Sequence, residues 1–288
     1  MHRRSNATVL PDQGTKARQR FPPLNTIMSL LLTIDVGNTN TVLGVHEGAA
    51  LKAHWRLTTR REQTTDEYLI LVRSLFLGSG VTPADIAGVA LASVVPPLTP
   101  GLVALSREYL RQDPLVIEPG VNTGMPILYE PPGDVGADRI VNGVAAYAAY
   151  GGPVIVVDFG TATTFDVVTR KGEYVGGVIC TGAGISAEAL FQRAARLPRV
   201  DIRRPAKVIG RSTVASIQSG LYYGYAVMVE GMLARIRAEL GEPARAVATG
   251  GLAQTLAADL PSIDAVDPVL TLTGLRLIWE RNQAPGRP

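Results

Sequence analysis

Two segments of this chain repeat one pattern about 123 residues apart. Residues 31–41, LLTIDVGNTNT, and residues 154–164, VIVVDFGTATT, each run from an apolar stretch into an Asp-x-Gly turn with small hydroxyl residues. An aspartate at the end of a buried strand can hold a cation, and the glycine lets the backbone approach a ligand so that N–H and hydroxyl groups face phosphate oxygens. One Asp-Gly turn is common in hairpins. Two of them predict a duplicated domain that holds a nucleotide between its halves.

The composition is that of an ordinary folded protein with enough residues for two cores. The chain has 288 residues, of which 46% are hydrophobic and 18% charged. Its net charge of +3 is local, because residues 1–27 carry five basic side chains and one acidic, whereas the remainder carries 23 basic and 24 acidic. Since the remainder has no basic bias, we expect no nucleic-acid partner. Residues 1–27 are polar and lack periodicity, so we expect a disordered or non-native N-terminal extension there.

Several kinds of chemistry lack the residues that they need. Cys180 is the single cysteine of the sequence, so neither an intramolecular disulfide nor a cysteine-based metal site can form, which fits a cytoplasmic protein. The three histidines lie in the first fifth of the chain, so acid–base chemistry falls to carboxylates. No apolar stretch is long and unbroken enough to span a membrane, so we expect no membrane partner. The Gly-Lys pair of a Walker loop does not occur.

Strand and helix patterns alternate along the sequence and predict an α/β fold. A capping box at Thr64 and Glu67 opens the first helix, which glycines close at 78 and 80. Residues 182–187, GAGISA, match the minimum of a dinucleotide-binding fingerprint, but a tight strand-to-helix turn is the favoured interpretation. Further strands are expected at 41–45, 51–57, 88–95, 115–118, 163–169, 174–180 and 246–248, and further helices at 98–110, 140–150, 186–197 and 212–239.

Residues 129–139, YEPPGDVGADR, place an acid and an arginine at the start of an apolar helix, after a loop rich in proline and glycine. Two interpretations are open on residue chemistry alone. Asp138 is either a helix-start residue that the helix dipole favours, or the acceptor of a hydroxyl proton. In the second case Arg139 binds an anionic substrate group through its planar guanidinium.

The order of four segments resembles that of type III pantothenate kinases. These segments are the turn at Asp35, the Gly-Ala-Asp-Arg tetrad at 136–139, the turn at Asp158 and the run TVASIQSG at 213–220. The resemblance covers residues 28 to about 279, and it places the chain in the acetate and sugar kinase, Hsp70 and actin superfamily. It implies two duplicated actin-like ATPase (ribonuclease H-like) domains, at 28–149 and 150–288, with a nucleotide cleft between them.

The resemblance also implies an activity. The family is a transferase that phosphorylates pantothenate with ATP to give 4'-phosphopantothenate, which is the first step of coenzyme A biosynthesis. Its members are cytoplasmic homodimers that need magnesium and a monovalent cation, potassium or ammonium. The alternative is a related transcriptional accessory protein with weak or no kinase activity. The intact residues Asp35, Asp138 and Asp158 favour the enzyme.

Carried over position by position, the resemblance gives roles to individual residues. Thr161 would contact ATP together with the first phosphate loop, which consists of Asp35, Val36, Gly37, Asn38, Thr39, Asn40, Thr41 and Val42. The pantothenate site would consist of Tyr129, Gly136, Ala137, Asp138, Arg139 and Thr213. Asp138 would accept the proton, Asp158 would hold the monovalent cation, and Asp35 is a possible magnesium ligand.

Two positions leave the site detail open. Pro131 stands where the family commonly has asparagine, so a local hydrogen bond in the substrate loop is expected to be lost. Residues 249–251, Thr-Gly-Gly, follow a short strand at a place where this superfamily often approaches the adenosine of ATP, and a simple turn is an equal alternative.

Overall fold

The computed structural model describes residues 29–283, so the predicted extension at residues 1–27 lies outside the described residues. The strands are β1 (Leu30–Val36), β2 (Asn40–Glu47), β3 (Ala50–Thr58), β4 (Ile86–Ser93), β5 (Leu115–Val116), β6 (Val154–Phe159), β7 (Ala162–Val168), β8 (Tyr174–Thr181), β9 (Arg245–Thr249) and β10 (Ala265–Val266). The α-helices are α1 (Thr65–Ser79), α2 (Thr99–Leu105), α3 (Ala137–Tyr150), α4 (Ala183–Arg193), α5 (Thr213–Leu240), α6 (Ala253–Ala257) and α7 (Leu270–Gln283). None of the helices between residues 29 and 283 combines the length and the apolar character that a membrane span needs.

The two halves of the chain build the same sheet twice. The first sheet has the strand order β3-β2-β1-β4-β5, and the second has β8-β7-β6-β9-β10 when read in the equivalent direction. In each sheet the first three strands pair antiparallel. The fourth strand then crosses over to lie parallel to the first. This topology confirms the predicted duplication and the α/β class.

Local signals in the sequence locate the helix ends. Thr64 accepts a hydrogen bond from the backbone N–H of Glu67, and the Glu67 carboxylate accepts one from the Thr64 N–H at 2.8 Å, which confirms the capping box that opens α1. The long helix α5 begins after Ser212, whose hydroxyl accepts the N–H of Ala215, and it ends at Gly241. Its bounds differ by one residue from those predicted.

A central layer of two helices, α3 and α7, joins the two sheets. One face of β1, with Leu30, Leu32 and Ile34, packs toward α1 and α2. Its other face, with Leu31, joins a core that also holds residues of α3, α7 and the second sheet. Helix α7 follows the second sheet in the chain and yet packs on β1, β2 and β4. The domain boundary between residues 149 and 150 therefore stays a proposal, because both halves share this layer.

Candidate active site

The two Asp-x-Gly turns face each other between the sheets. Asp35 lies one residue before the end of β1, and Asp158 lies one residue before the end of β6. The first turn is closed by the N–H of Gly37, which donates to a backbone carbonyl at 3.0 Å. The hydroxyl oxygens of Thr39 and Thr161, one from each turn, are 2.8 Å apart. Two segments that are 122 residues apart in sequence thus meet at one point.

A cleft of about 1070 Å³ opens at this meeting point. Of the predicted ATP and cation residues, the cleft is lined by Asp35, Gly37, Asn38, Thr39, Asn40, Val42, Asp158 and Thr161. Asp138, the predicted proton acceptor, lines it too, as do the residues of the 249–251 turn. Val36 and Thr41 belong to the same loop but are buried, and Thr41 shares hydrogen bonds with Thr59 and Tyr68. The structure therefore brings both turns and Asp138 into one cavity.

Burial, with a smaller contribution from neighbouring negative charges, raises the pKa values of the carboxylates in the cleft. Burial raises the pKa of Asp35 to about 8, and the negative charges of Asp138 and Asp158 add to the effect. Burial raises the pKa of Asp158 to about 7, with Asp138 as the next contributor. The positive charge of Arg56 acts in the opposite direction on both. Such a set of acids in a low-dielectric cleft fits a bound cation, because a positive charge would stabilise the ionised forms.

The geometry of these acids also limits what kind of cation site they can form. Within the described part of the chain, no three His, Cys, Asp or Glu side chains lie close enough together to hold a metal ion. Mg²⁺ is commonly held by one or two carboxylates together with substrate phosphates and water. Asp35 and Asp158 are two carboxylates of this kind, each near the end of a strand in the cleft.

The central helices hold the Asp158 carboxylate in place. Asn142 of α3 donates from Nδ2 to Asp158 Oδ2 at 3.2 Å, and the Thr271 hydroxyl of α7 donates to Asn142 Oδ1 at 2.7 Å. A Cβ atom on Gly250, whose φ is +93°, would lie 2.3 Å from Asp158 Oδ1, so only glycine fits there. Neither Asn142 nor Thr271 was predicted: α7, which carries Thr271, was not expected, and the role of Asn142 follows only from how the predicted helix α3 packs beside Asp158.

Asp138 lies at a helix start and also in the cleft, so its position is compatible with both of the roles that its sequence context left open. It is the second residue of α3, where the helix dipole stabilises a negative charge. Its Oδ1 accepts a hydrogen bond from the backbone N–H of Arg139 at 2.9 Å. It also lines the cleft that both phosphate turns share. Burial raises the pKa of Asp138 above its usual value, and this makes the carboxylate a stronger base.

Arg139 is fixed by a buried carboxylate that sequence analysis did not identify. Its Nε donates to Asp166 Oδ1 at 2.6 Å, in an ion pair that is almost fully buried. The same carboxylate accepts the Tyr174 hydroxyl and the Thr164 hydroxyl, each at 2.8 Å. The Tyr129 ring packs on Tyr174, with ring centroids 6.4 Å apart. A charged residue among the apolar positions of β7 was the available signal for Asp166.

The residues predicted to bind pantothenate do not all lie close together within a single chain. Tyr129 and Arg139 lie close together through their contacts with Tyr174. Gly136 is the residue before α3, and Ala137 is the first residue of that helix. Thr213, by contrast, is exposed at the start of α5 and lines a separate shallow groove with Leu190. Of the predicted pantothenate residues, Asp138 alone is among the described residues that line the cleft, and within a single chain Thr213 lies away from it.

Two duplicated sheets whose aspartate turns meet across an acid-lined cleft define the actin-like ATPase class. A solved structure from Campylobacter jejuni, described as a Baf family transcriptional activator, aligns with a TM-score of 0.55 and 19% identity over 87% of this chain and 98% of that one. Component A of (R)-2-hydroxyglutaryl-CoA dehydratase from Acidaminococcus fermentans aligns with a TM-score of 0.50 and 13% identity, over 87% of this chain and 96% of that one. At these identities the likeness shows the fold alone.

Sequence comparison identifies the family within this class. The family model described as type III pantothenate kinase matches residues 31–235. A type III pantothenate kinase from Myxococcus xanthus strain DK1622 is 58% identical over 255 residues, which cover 88% of this chain and 100% of that protein. One from Moorella thermoacetica is 56% identical over 253 residues, with the same coverage of 88% and 100%. The chain belongs to the type III pantothenate kinase family, as its motifs predict.

Proposed function

We propose that this chain is a kinase that transfers the γ-phosphoryl group of ATP to pantothenate, giving 4'-phosphopantothenate in the first step of coenzyme A biosynthesis. One observation carries the proposal beyond family membership. Asp138 lies in the same cleft as Asp35 and Asp158, where the two phosphate turns meet. A base and two phosphate-facing turns in one cavity are the parts that phosphoryl transfer to a hydroxyl needs.

The chemistry depends mainly on positioning. The first turn and Thr161 hold the triphosphate so that its γ-phosphorus faces Asp138. The pantothenate hydroxyl oxygen attacks that phosphorus, the bond to the ADP oxygen breaks, and the hydroxyl proton passes to the Asp138 carboxylate late in the step. Since the transition state is loose, orientation and charge stabilisation supply most of the rate enhancement. Movement of the sheets toward each other would exclude water.

Cations complete the site in this proposal. Asp35 would hold magnesium together with phosphate oxygens, and Asp158 would hold potassium or ammonium together with backbone carbonyls. These ions would supply positive charge beside the phosphates. The raised pKa values of Asp35 and Asp158 support this assignment, because the cleft places several acids together with few positive charges.

The acceptor side is built around Arg139. The ion pair with Asp166 uses the Nε atom of Arg139, so the terminal nitrogens are the groups that would bind the pantothenate carboxylate. Tyr129, Gly136 and Ala137 would complete a pantothenate site around Arg139, next to the cleft that Asp138 lines. Pro131 lies in the loop between Tyr129 and Gly136, where the family commonly has asparagine.

We also propose a cytoplasmic homodimer. Exposed large apolar side chains are concentrated in one stretch of the second half, namely Val175, Ile179, Ile185, Leu190, Phe191, Val208, Ile209, Val214 and Val227. Contiguous exposed apolar patches mark protein contacts, and we propose that side chains from this stretch form such a patch at the homodimer interface. Thr213 lies within the same stretch and away from its own cleft, so a second copy would allow it to contact substrate.

A direct assay tests the function. Purified protein is incubated with ATP, magnesium and pantothenate, ADP release is followed by a coupled assay, and the phosphate ester is identified by mass. We expect product to require pantothenate, and potassium or ammonium to support a much higher rate than sodium. Equal rates in the three salts would remove the cation assignment. ADP release that is independent of pantothenate, or no turnover at all, would favour the regulatory alternative.

A further inference from the structure

Negative side chains outnumber positive ones in the cleft. Among the described residues that line it, four are acidic, namely Asp35, Asp138, Asp158 and Glu188, and Arg56 is the one basic residue. A nucleoside triphosphate brings several further negative charges into this space. Of the described residues that line the cleft, Arg56 is therefore the one that offers a positive charge to the phosphates, while Arg61 donates to Asn38 Oδ1 of the first turn at 3.4 Å from outside that lining.

The strand register places Arg56 over the first phosphate turn. Val42 of β2 pairs with Asp35 of β1 on one side and with Arg56 of β3 on the other. Side chains of directly paired residues on neighbouring strands lie on the same face of a sheet. Arg56, Val42 and Asp35 thus form a row across the sheet, and all three line the cleft.

The Arg56 guanidinium reaches from the first half of the chain to the second. A Cβ atom built on Gly251 would lie 3.5 Å from a terminal nitrogen of Arg56, so the tip of the side chain lies beside the 249–251 turn. Arg56 is exposed within the cleft, and none of the ion pairs between residues 29 and 283 involves it. No carboxylate therefore holds the guanidinium at the edge of the cleft.

We infer that Arg56 is a catalytic residue that binds the nucleotide's phosphate groups and neutralises charge during phosphoryl transfer. The inference rests on the proposed kinase function and adds a residue to it. A guanidinium can give two parallel N–H groups to phosphate oxygens, which a single ammonium cannot reproduce. Arginines that stabilise the charge of a transferred phosphoryl group are worth large factors in rate in other phosphotransferases.

Nucleotide binding without an acceptor tests this role independently of turnover. Calorimetry measures the affinities of adenosine, ADP and ATP for the wild type, Arg56→Gln and Arg56→Lys. The matched control is His54→Gln, because His54 is exposed on the same face of β3 but lies outside the cleft. We expect Arg56→Gln to weaken ADP and ATP binding by about tenfold or more, the worth of a hydrogen bond to a charged group. Adenosine binding should stay within about twofold, and Arg56→Lys should recover part of the loss, because it keeps the charge.

Steady-state kinetics provide the second measurement. In Arg56→Gln, kcat/KM for ATP should fall by roughly 10²–10³-fold, as when one donor to a developing charge is lost. KM for pantothenate should change little, and the melting temperature should match that of His54→Gln. An unchanged preference for ATP over adenosine in Arg56→Gln would overturn the inference, and so would an equal loss of adenosine and ATP binding. If the wild type does not phosphorylate pantothenate while Arg56→Gln still loses its ATP preference, the proposed function fails and the phosphate contact stands.

Discussion

The two sheets share one topology, but the rows of side chains that cross them at the two aspartates differ in chemistry. The row across the first sheet consists of Arg56, Val42, Asp35 and Ala92. The row across the second sheet consists of Ile179, Thr164, Asp158 and Thr249. The first row is apolar beside its aspartate and ends in a positive charge. The second row is polar beside its aspartate and ends in an exposed apolar side chain.

This difference supports the division of roles that we propose, with the nucleotide phosphates on the first sheet and the pantothenate side on the second. The first sheet presents a positive charge to the cleft, which suits the phosphates of a nucleotide. The second sheet carries Thr164 and, two residues further on, Asp166, which fixes Arg139 on the acceptor side. Ile179, at the end of the second row, lies on the apolar surface that we assign to a second copy. A fold can be duplicated while each copy acquires its own site.

The central helices help to produce this asymmetry. At the position that matches Asp166, the first sheet has Gly44. A Cβ atom on Gly44 would lie 2.8 Å from a Leu272 methyl group of α7, so the helix leaves no room for a side chain there. The polar network around Asp166 is therefore possible in the second sheet only. The Asp158 carboxylate likewise accepts the Asn142 amide, whereas no described residue donates a side-chain hydrogen bond to Asp35.

The largest expected effect concerns Asp138, which serves both halves. Asp138→Asn keeps the shape and the contact with the Arg139 N–H but cannot accept a proton, so kcat should fall by roughly 10²–10⁴-fold. Calorimetry should show ATP and pantothenate binding with similar affinity, because the amide still contacts the hydroxyl. The loss of turnover would be smaller than a general base accounts for if the variant retained more than about a tenth of wild-type turnover. Asp138 would then be only a helix-start or positioning residue.

A matched pair of variants separates the two aspartate turns. Asp35→Asn should lower turnover by roughly 10²-fold, the worth of one strong charge contact, and should weaken binding of magnesium ATP. Asp158→Asn should bring the ratio of rates in potassium and sodium to about one, because the amide no longer supplies the charge that holds the ion. Rates titrated against magnesium and against potassium provide the readout. Equal effects of both variants on both ions would show that the turns are not specialised.

Local sequence signals predicted the parts of the fold that are formed by neighbouring residues. The aspartate turns, the capping box at Thr64 and the helix between Ser212 and Gly241 each rest on signals within a few residues. These signals were sufficient for the duplication, the α/β class and the first three strands of each half, whereas the strand order was not predicted and the short strand β10 was missed.

The parts that the sequence did not reveal depend on contacts between distant segments. Helix α7 was missed because its Leu270, Leu272 and Leu275 are interspersed with polar residues, and because it packs on α3, β1, β2 and β4, which all lie more than a hundred residues earlier. Asp166 and Arg139 are 27 residues apart, so their ion pair depends on how α3 packs on β7. The position of Arg56 depends on the register between β2 and β3. Sequence spacing alone specifies none of these placements.

A smaller effect is expected on the acceptor side. Tyr174→Phe removes one of the three hydrogen bonds to Asp166 and leaves the ring that packs on Tyr129. We expect KM for pantothenate to rise by about fivefold, because a hydrogen bond is typically worth about 1 kcal/mol, while KM for ATP stays unchanged. The control is Tyr147→Phe, which removes a more exposed hydroxyl bonded to the Arg170 carbonyl. A rise in both KM values would mean that Tyr174 supports the cleft in general and not Arg139 in particular.

The smallest expected effect concerns a buried histidine that the first sheet has and the second sheet lacks. This difference should make the stability of the chain depend on pH. His46 of β2 is buried where the second sheet has Val168, and within residues 29–283 neither ring nitrogen has a hydrogen-bond partner. Burial lowers the pKa of His46 to about 4, and the Arg276 charge contributes. Between that value and the usual 6.5, the unfolded chain binds the proton and the folded chain does not. The free energy of unfolding is therefore not reduced by His46 above pH 6.5, and it declines as the pH falls toward 4.

His46→Val restores the residue of the second sheet and should remove this part of the pH dependence. Between pH 7 and pH 5, the melting temperature of the wild type should fall by roughly 2–4 °C more than that of the variant, which corresponds to about 1 kcal/mol in a chain of this size. His54→Val, at an exposed position of β3, is the control and should follow the wild type. Parallel curves for wild type and His46→Val would show that His46 keeps an ordinary pKa in the folded chain. The buried ionisable group would then not distinguish the first sheet from the second.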